Sequence, residues 1–118
     1  MNAPLTSEAT LSMIPEPAER LAHILERLQT IHPDALIVYI GLFNPFLDVD
    51  ESRATSLAIA EWNALAYTAV HANPNAIMAP VSDLFELRLD ERLSSDHFHP
   101  NAEGYEQIAA RLLQALPQ

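Results

Sequence analysis

The segment Ala35-Leu36-Ile37-Val38-Tyr39-Ile40-Gly41-Leu42-Phe43 is apolar throughout, with no polar residue on the alternate positions. A strand with one face in water alternates. A short continuous run bounded by breakers is instead the pattern of a strand covered on both faces, as in a parallel sheet between helices. The breakers are there: His32-Pro33-Asp34 before the run and Asn44-Pro45 after it.

The flanking segments carry helical periodicity. Upstream, Leu21, Ile24, Leu25 and Leu28 make one apolar stripe and predict a helix over about Ala18 to Thr30, with Pro17 in its first turn, where no amide is needed. Residues 1–17 read as a polar, proline-punctuated leader. Downstream, an alanine-rich helix is expected from about Ser52 to Ala72, stopped by Pro74. A short second strand follows at Ala76 to Val81, then a loop from Ser82 to Ser95 with room for a turn of helix. The last helix spans about Asn101 to Leu116, with Tyr105, Ile108, Ala109, Leu112, Leu113 and Leu116 on one face.

Strands alternating with helices imply an α/β fold, with parallel strands flanked by helices. Only two strands are evident, although sheets usually hold about 4–6. The 35–43 run would then present a long apolar edge, which proteins normally cover. One reading open at this point is non-enzymatic: a non-catalytic α/β fragment that pairs this edge with a second copy, giving a homodimer, or with a partner chain.

Composition narrows the function. The 118 residues carry a formal net charge of −10, which disfavours binding to nucleic-acid phosphates or anionic lipid surfaces. There is no cysteine, so disulfides, thiolate metal sites and a cysteine nucleophile are excluded. No run reaches the roughly 20 apolar residues that cross a bilayer. Met1 to Met13 lacks a basic region followed by an apolar stretch, so it does not read as a signal peptide. The compartment is left open.

The chemistry is concentrated in Ser94-Ser95-Asp96-His97-Phe98-His99-Pro100-Asn101-Ala102-Glu103-Gly104-Tyr105. A serine hydroxyl needs an adjacent base at neutral pH, and imidazole suits the task with an ordinary pKa of about 6.5. A carboxylate bonded to one ring nitrogen fixes the tautomer and frees the other nitrogen for the hydroxyl. Asp96 and His99, three residues apart on one tight loop, can meet without long-range help. Pro100-Asn101 starts a helix just beyond them, and Gly104 permits close backbone approach.

This block resembles the last conserved block of the SGNH (GDSL-like) hydrolases, Asp-x-x-His followed by Pro-Asn and then Gly-Tyr. It stands here as Asp96, His99, Pro100, Asn101, Gly104 and Tyr105. Ile40-Gly41-Leu42-Phe43-Asn44-Pro45-Phe46 and Trp62-Asn63 add to the likeness. The resemblance covers about residues 18–116 and implies a partial three-layer α/β/α flavodoxin-like fold, with residues 18–118 as the C-terminal half of the domain. It further implies hydrolysis of a small-molecule acyl ester, with His99 as base and Asp96 as its partner. No cofactor is expected. The family's nucleophile lies in a Gly-Asp-Ser block, and none of Ser7, Ser12, Ser52, Ser56, Ser82, Ser94 or Ser95 follows Gly-Asp. Asn44 follows Gly41 at the wrong spacing for the family's oxyanion-hole asparagine. The nucleophile and oxyanion donors are therefore expected from an N-terminal half, and the 118 residues alone are expected to be inactive.

Other readings stay open beside this one. Asp96 and His99 also fit a capping aspartate and a surface histidine. Asp96, His97 and His99 fit a small metal-binding module, although no further ligand set stands at zinc spacing and no metal is expected. Asn44 and Phe46 follow a strand end, where open α/β sheets bind ligands. They equally suit a turn and a core edge closed by Phe46 with Trp62. Asp83 follows the second strand and faces either the pocket or its own loop.

Overall fold

The computed structural model describes residues 13–49 and 53–117. Most of the leader, residues 1–12, lies outside the described residues, as do residues 50–52, which include the start of the expected second helix. Helix α1 covers Pro15–Ile31, starting three residues before the expected Ala18 because Pro15 itself opens the first turn. Strand β1 covers Ile37–Ile40, helix α2 Ala54–His71 and strand β2 Ala76–Ala79. The expected 82–95 loop contains two single-turn helices, α3 (Ser82–Phe85) and α4 (Leu89–Arg92). Helix α5 covers Ala102–Ala115.

The strands are parallel, with Ile37 opposite Ala76 and Ile40 opposite Ala79. β1 is shorter than the 35–43 run because Gly41, whose amide still bonds Ala79 O at 3.0 Å, is its last contact with β2. This is a parallel two-stranded sheet flanked by helices, a partial flavodoxin-like arrangement.

Two cores hold it. Leu25 of α1, Val70 of α2 and Ala76 of β2 are buried together, with Leu21, Ile37, Tyr39 and Met78 around them. Ile37 and Tyr39 share a face because side chains alternate along a strand. The alanine content of α2 has a use here: Ala66 is fully buried and lets neighbouring elements approach. The second core joins Phe85, Leu89 and Leu93 to Phe43, Leu84 and Ile108. Phe43 and Phe85 stack with ring centroids 3.9 Å apart, which docks the α3–α4–α5 unit onto the chain leaving β1. Burying a side chain of Phe85's size contributes roughly 1.5–3 kcal/mol. Ile108 faces this core, whereas Tyr105 and Leu113, expected on the same helix face, stand in solvent, Leu113 at 70% exposure.

Candidate active site

Asp96 and His99 come together. His99 Nδ1 lies 2.5 Å from Asp96 Oδ2. The other carboxylate oxygen, Oδ1, accepts the amides of Phe98 (2.9 Å) and His99 (3.0 Å), so the aspartate folds the loop back over itself. His97 sits between them in the left-handed region, φ 56°, a conformation histidine tolerates better than most residues. The loop is closed at its neck. Ser94 N donates to His99 O at 2.7 Å, Ser94 Oγ donates to Pro100 O at 3.0 Å, and Leu93 bridges Pro100.

Asn101 fastens this loop to the fold. Its Oδ1 accepts the Gly104 amide at 2.9 Å and caps α5. Its Nδ2 donates back to Glu91 O (2.8 Å) and Leu93 O (3.1 Å), at the end of α4. Gly104 is required by crowding: a Cβ there would lie 2.4 Å from Arg92 O. The Pro-Asn-x-x-Gly spacing thus lets α5 begin flush against α4 and holds the Asp96–His99 loop in place.

The His99 bond and the two amides lower the Asp96 pKa from 3.8 to about 2. In the tautomer that carries its proton on Nδ1, His99 donates to this carboxylate and has its lone pair on Nε2. The His99 side chain is 65% exposed, and Phe98 packs against its ring edge-on at 4.9 Å. Among the described residues no serine hydroxyl bonds His99.

Beside His99 lies a largely apolar cleft of about 210 Å³, walled by Gly41, Leu42, Phe43 and Pro45 on one side and by Phe98 and Pro100 on the other. It sits past the C-terminal end of β1, where open α/β sheets take ligands. Asn44 and Phe46 are not in this wall. Asn44 is buried, donates to Ser56 Oγ (2.9 Å) and Thr55 Oγ1 (3.3 Å), and accepts the Phe46 amide at 2.9 Å. It borders a separate cleft of about 140 Å³ with Leu47, Asn63 and Ser82. Phe46 turns its ring to Phe98, 5.9 Å away, and not to Trp62, whose Nε1 donates to Tyr39 OH at 2.9 Å. Phe46 also lines a third cleft with Asp96 and His97. His97 and His99 thus border different clefts, and among the described residues no three acidic or histidine side chains gather as a metal site.

Two residues were not evident from the sequence as parts of this region. Asn63 grips Leu42 by both main-chain groups: Oδ1 accepts Leu42 N–H (3.0 Å) and Nδ2 donates to Leu42 O (2.9 Å), fixing one wall of the His99 cleft. The Trp62-Asn63 pair in the likeness was the one available signal. Arg111 of α5 holds both oxygens of Asp83 (2.8 and 2.7 Å) and Pro80 O (2.7 Å), which pins α5 to the end of β2. Asp83 therefore faces Arg111, and this bond lowers its pKa from the ordinary value.

A family model for the GDSL-like lipase/acylhydrolase family matches residues 5–107. The uncharacterized protein YpmR of Bacillus subtilis (strain 168) is 30% identical over 101 residues, which cover 83% of this chain and 40% of YpmR. Among the described residues, no helix is long and apolar enough to cross a membrane.

Proposed function

Because the chain belongs to the GDSL-like lipase/acylhydrolase family, we propose that it supplies the histidine–aspartate half of a serine ester hydrolase site acting on small acyl esters. The observation that carries this reading is the 2.5 Å contact between His99 Nδ1 and Asp96 Oδ2, held beside an apolar cleft at the strand end. His99 Nε2 takes the proton of a serine hydroxyl as its oxygen attacks the ester carbonyl, and returns it to the departing alcohol. Water then cleaves the acyl-serine by the same proton path. Asp96 holds the ring and stabilises the imidazolium.

The serine and the oxyanion donors come from an N-terminal half that is not among these residues, where no serine follows Gly-Asp. A base without nucleophile and oxyanion donors supplies little rate, so the 118 residues alone are inactive. The test is labelling by a serine-directed fluorophosphonate, read by intact mass. The chain alone is expected to give no adduct. Mixed with a GDSL-family N-terminal segment carrying Gly-Asp-Ser, it is expected to promote one adduct on that segment, lost in His99→Ala. An adduct on the chain alone that vanishes in His99→Ala would overturn the half-site reading. Labelling of the mixture that is indifferent to His99 would overturn the assignment of the base.

A further inference from the structure

The cleft beside His99 is bounded on one side by an aromatic pair, and we propose that Phe98, backed by Phe46, is a specificity-determining residue that limits the length of the apolar chain an ester can place there. That the occupant is an ester chain rests on the ester-hydrolase reading; that Phe98 bounds the cleft does not. Among the side chains of the cleft only that of His99 is polar, so the group that fills it is apolar.

The walls are held from outside the cleft, which makes it a preformed site. Asn63 fixes both main-chain groups of Leu42. Phe43 is anchored by its stack on Phe85. Opposite them, Asp96 Oδ1 accepts the Phe98 amide at 2.9 Å, and the Phe98 ring lies edge-on to His99 at 4.9 Å. The carboxylate that orients the base thus also places the residue that bounds the cleft. A cleft with fixed walls discriminates by length, because a chain that is too long cannot push them back.

Behind the aromatic pair lies more room. Pro45 lines both the His99 cleft, of about 210 Å³, and the third cleft, of about 280 Å³. Phe98 lines only the first and Phe46 only the second, and their rings meet at 5.9 Å. The two rings and Pro45 therefore form the partition between the clefts. Beyond it Val49, Leu89 and Leu93 offer further apolar surface. The first cleft alone is smaller than the roughly 300–1,000 Å³ of ordinary small-molecule sites, and joined to the second it enters that range. Phe98 is 48% exposed and Phe46 41%, so removing either ring opens the partition without emptying a core.

The first test reads binding, not activity. Straight-chain primary alcohols from butanol to octanol are titrated into the full chain and followed by NMR at the Leu42 and Phe98 amides. Neutral probes avoid the repulsion that a net charge of −10 exerts on fatty-acid anions. Affinity is expected to rise up to roughly fourfold for each added CH₂ and to level off within the series. In Phe98→Ala and in Phe46→Ala the rise is expected to continue to octanol. Phe46 does not line the His99 cleft, so Phe46→Ala is expected to bind butanol as the native chain does, which separates an opened partition from a general loosening. Absence of saturable shifts at the two amides overturns the proposal, and so does the same levelling-off in both variants. Phe46→Ala decides the matter if Phe98→Ala does not fold. Two ester series, hydrolysed by the mixture with a Gly-Asp-Ser segment, then identify the chain: acetates of lengthening alcohols and ethyl esters of lengthening acids. A length limit that Phe98→Ala relaxes assigns the cleft to the alcohol chain in the first series and to the acyl chain in the second. Hydrolysis with no such limit in either series overturns the proposal. A mixture that takes no fluorophosphonate label fails the half-site reading instead, and the alcohol titration still decides whether Phe98 limits chain length.

Discussion

Asp96 binds His99 twice, once at the ring and once at the backbone: Oδ2 meets Nδ1 at 2.5 Å while Oδ1 accepts the His99 amide at 3.0 Å. One carboxylate therefore sets both the orientation of the imidazole and the path of the chain that carries it. The ring bond is the largest cause of the Asp96 pKa of about 2. In His99→Ala the titration is expected to move up toward the ordinary 3.8 without reaching it, because the Phe98 and residue-99 amides still favour the carboxylate. Carbon-detected NMR of the Asp96 carboxyl checks this. The sign for stability follows from the depressed value. The contribution is complete above the ordinary carboxylate pKa and is lost as pH falls through about 2. The loop is thus expected to loosen at acid pH in the native chain, and over a higher pH range in the variant.

Gly104→Ala is expected to be one of the most damaging small substitutions in the chain. The added methyl would stand 2.4 Å from Arg92 O and 2.9 Å from Pro100 Cβ. Neither neighbour is a flexible side-chain end, so α5 must shift away from α4. Overpacking of this kind costs roughly 1–3 kcal/mol, and the value here is expected at the upper end. Asn101→Ala acts on the same junction by removing the cap on Gly104 and the bonds to Glu91 O and Leu93 O. Its expected cost is about 1–2 kcal/mol. Urea denaturation followed by far-UV circular dichroism measures both.

What could be read from the sequence was mostly local. The Asp96–His99 contact spans three residues and the Asn101–Gly104 cap another three, so spacing alone brings the partners within reach. The unbroken 35–43 run, short and bounded by Pro33 and Pro45, marked a strand between helices. The links that position the cleft are of another kind. Asn63 reaches Leu42 across 21 residues and Arg111 reaches Asp83 across 28. Such pairs exist only once the parallel crossover has placed α2 and α5 against the sheet. Asn44 shows the same limit. A turn residue and a pocket residue look alike in sequence, and only its bonds to Thr55 and Ser56 reveal that its amide is committed inward.

Asn63→Ala removes both grips on Leu42. The expected loss is about 1–2 kcal/mol, with faster hydrogen exchange at the Leu42 amide as the site-specific signature. Asn63→Asp separates the two bonds. A carboxylate still accepts the Leu42 N–H but presents a second oxygen to Leu42 O, so one bond becomes a repulsion. Leu42 amide protection is therefore expected to fall in the order native, Asp, Ala, while stability in Asp is no better than in Ala at neutral pH. Lowering the pH protonates the introduced carboxyl, restores a donor toward Leu42 O and is expected to recover part of the stability of the Asp variant alone.

Arg111 and Asp83 test how much an ion pair at the rim of the sheet contributes. The pair is bidentate, but the Asp83 side chain is 60% exposed and that of Arg111 24%. Solvent screening holds such couplings to roughly 0.2–1 kcal/mol. A double-mutant cycle with Arg111→Met and Asp83→Asn is expected to return a value in that range, reduced by salt. The single variants are not expected to be equal. Arg111→Met also gives up the bond to Pro80 O, so it should cost more than Asp83→Asn. The Arg111 bond is the largest cause of the lowered Asp83 pKa. Arg111→Met is therefore expected to raise the Asp83 titration toward the ordinary carboxylate value. In the native chain the coupling is complete above that value and declines as pH falls through the lowered one. Titration by carboxyl NMR in both chains checks this.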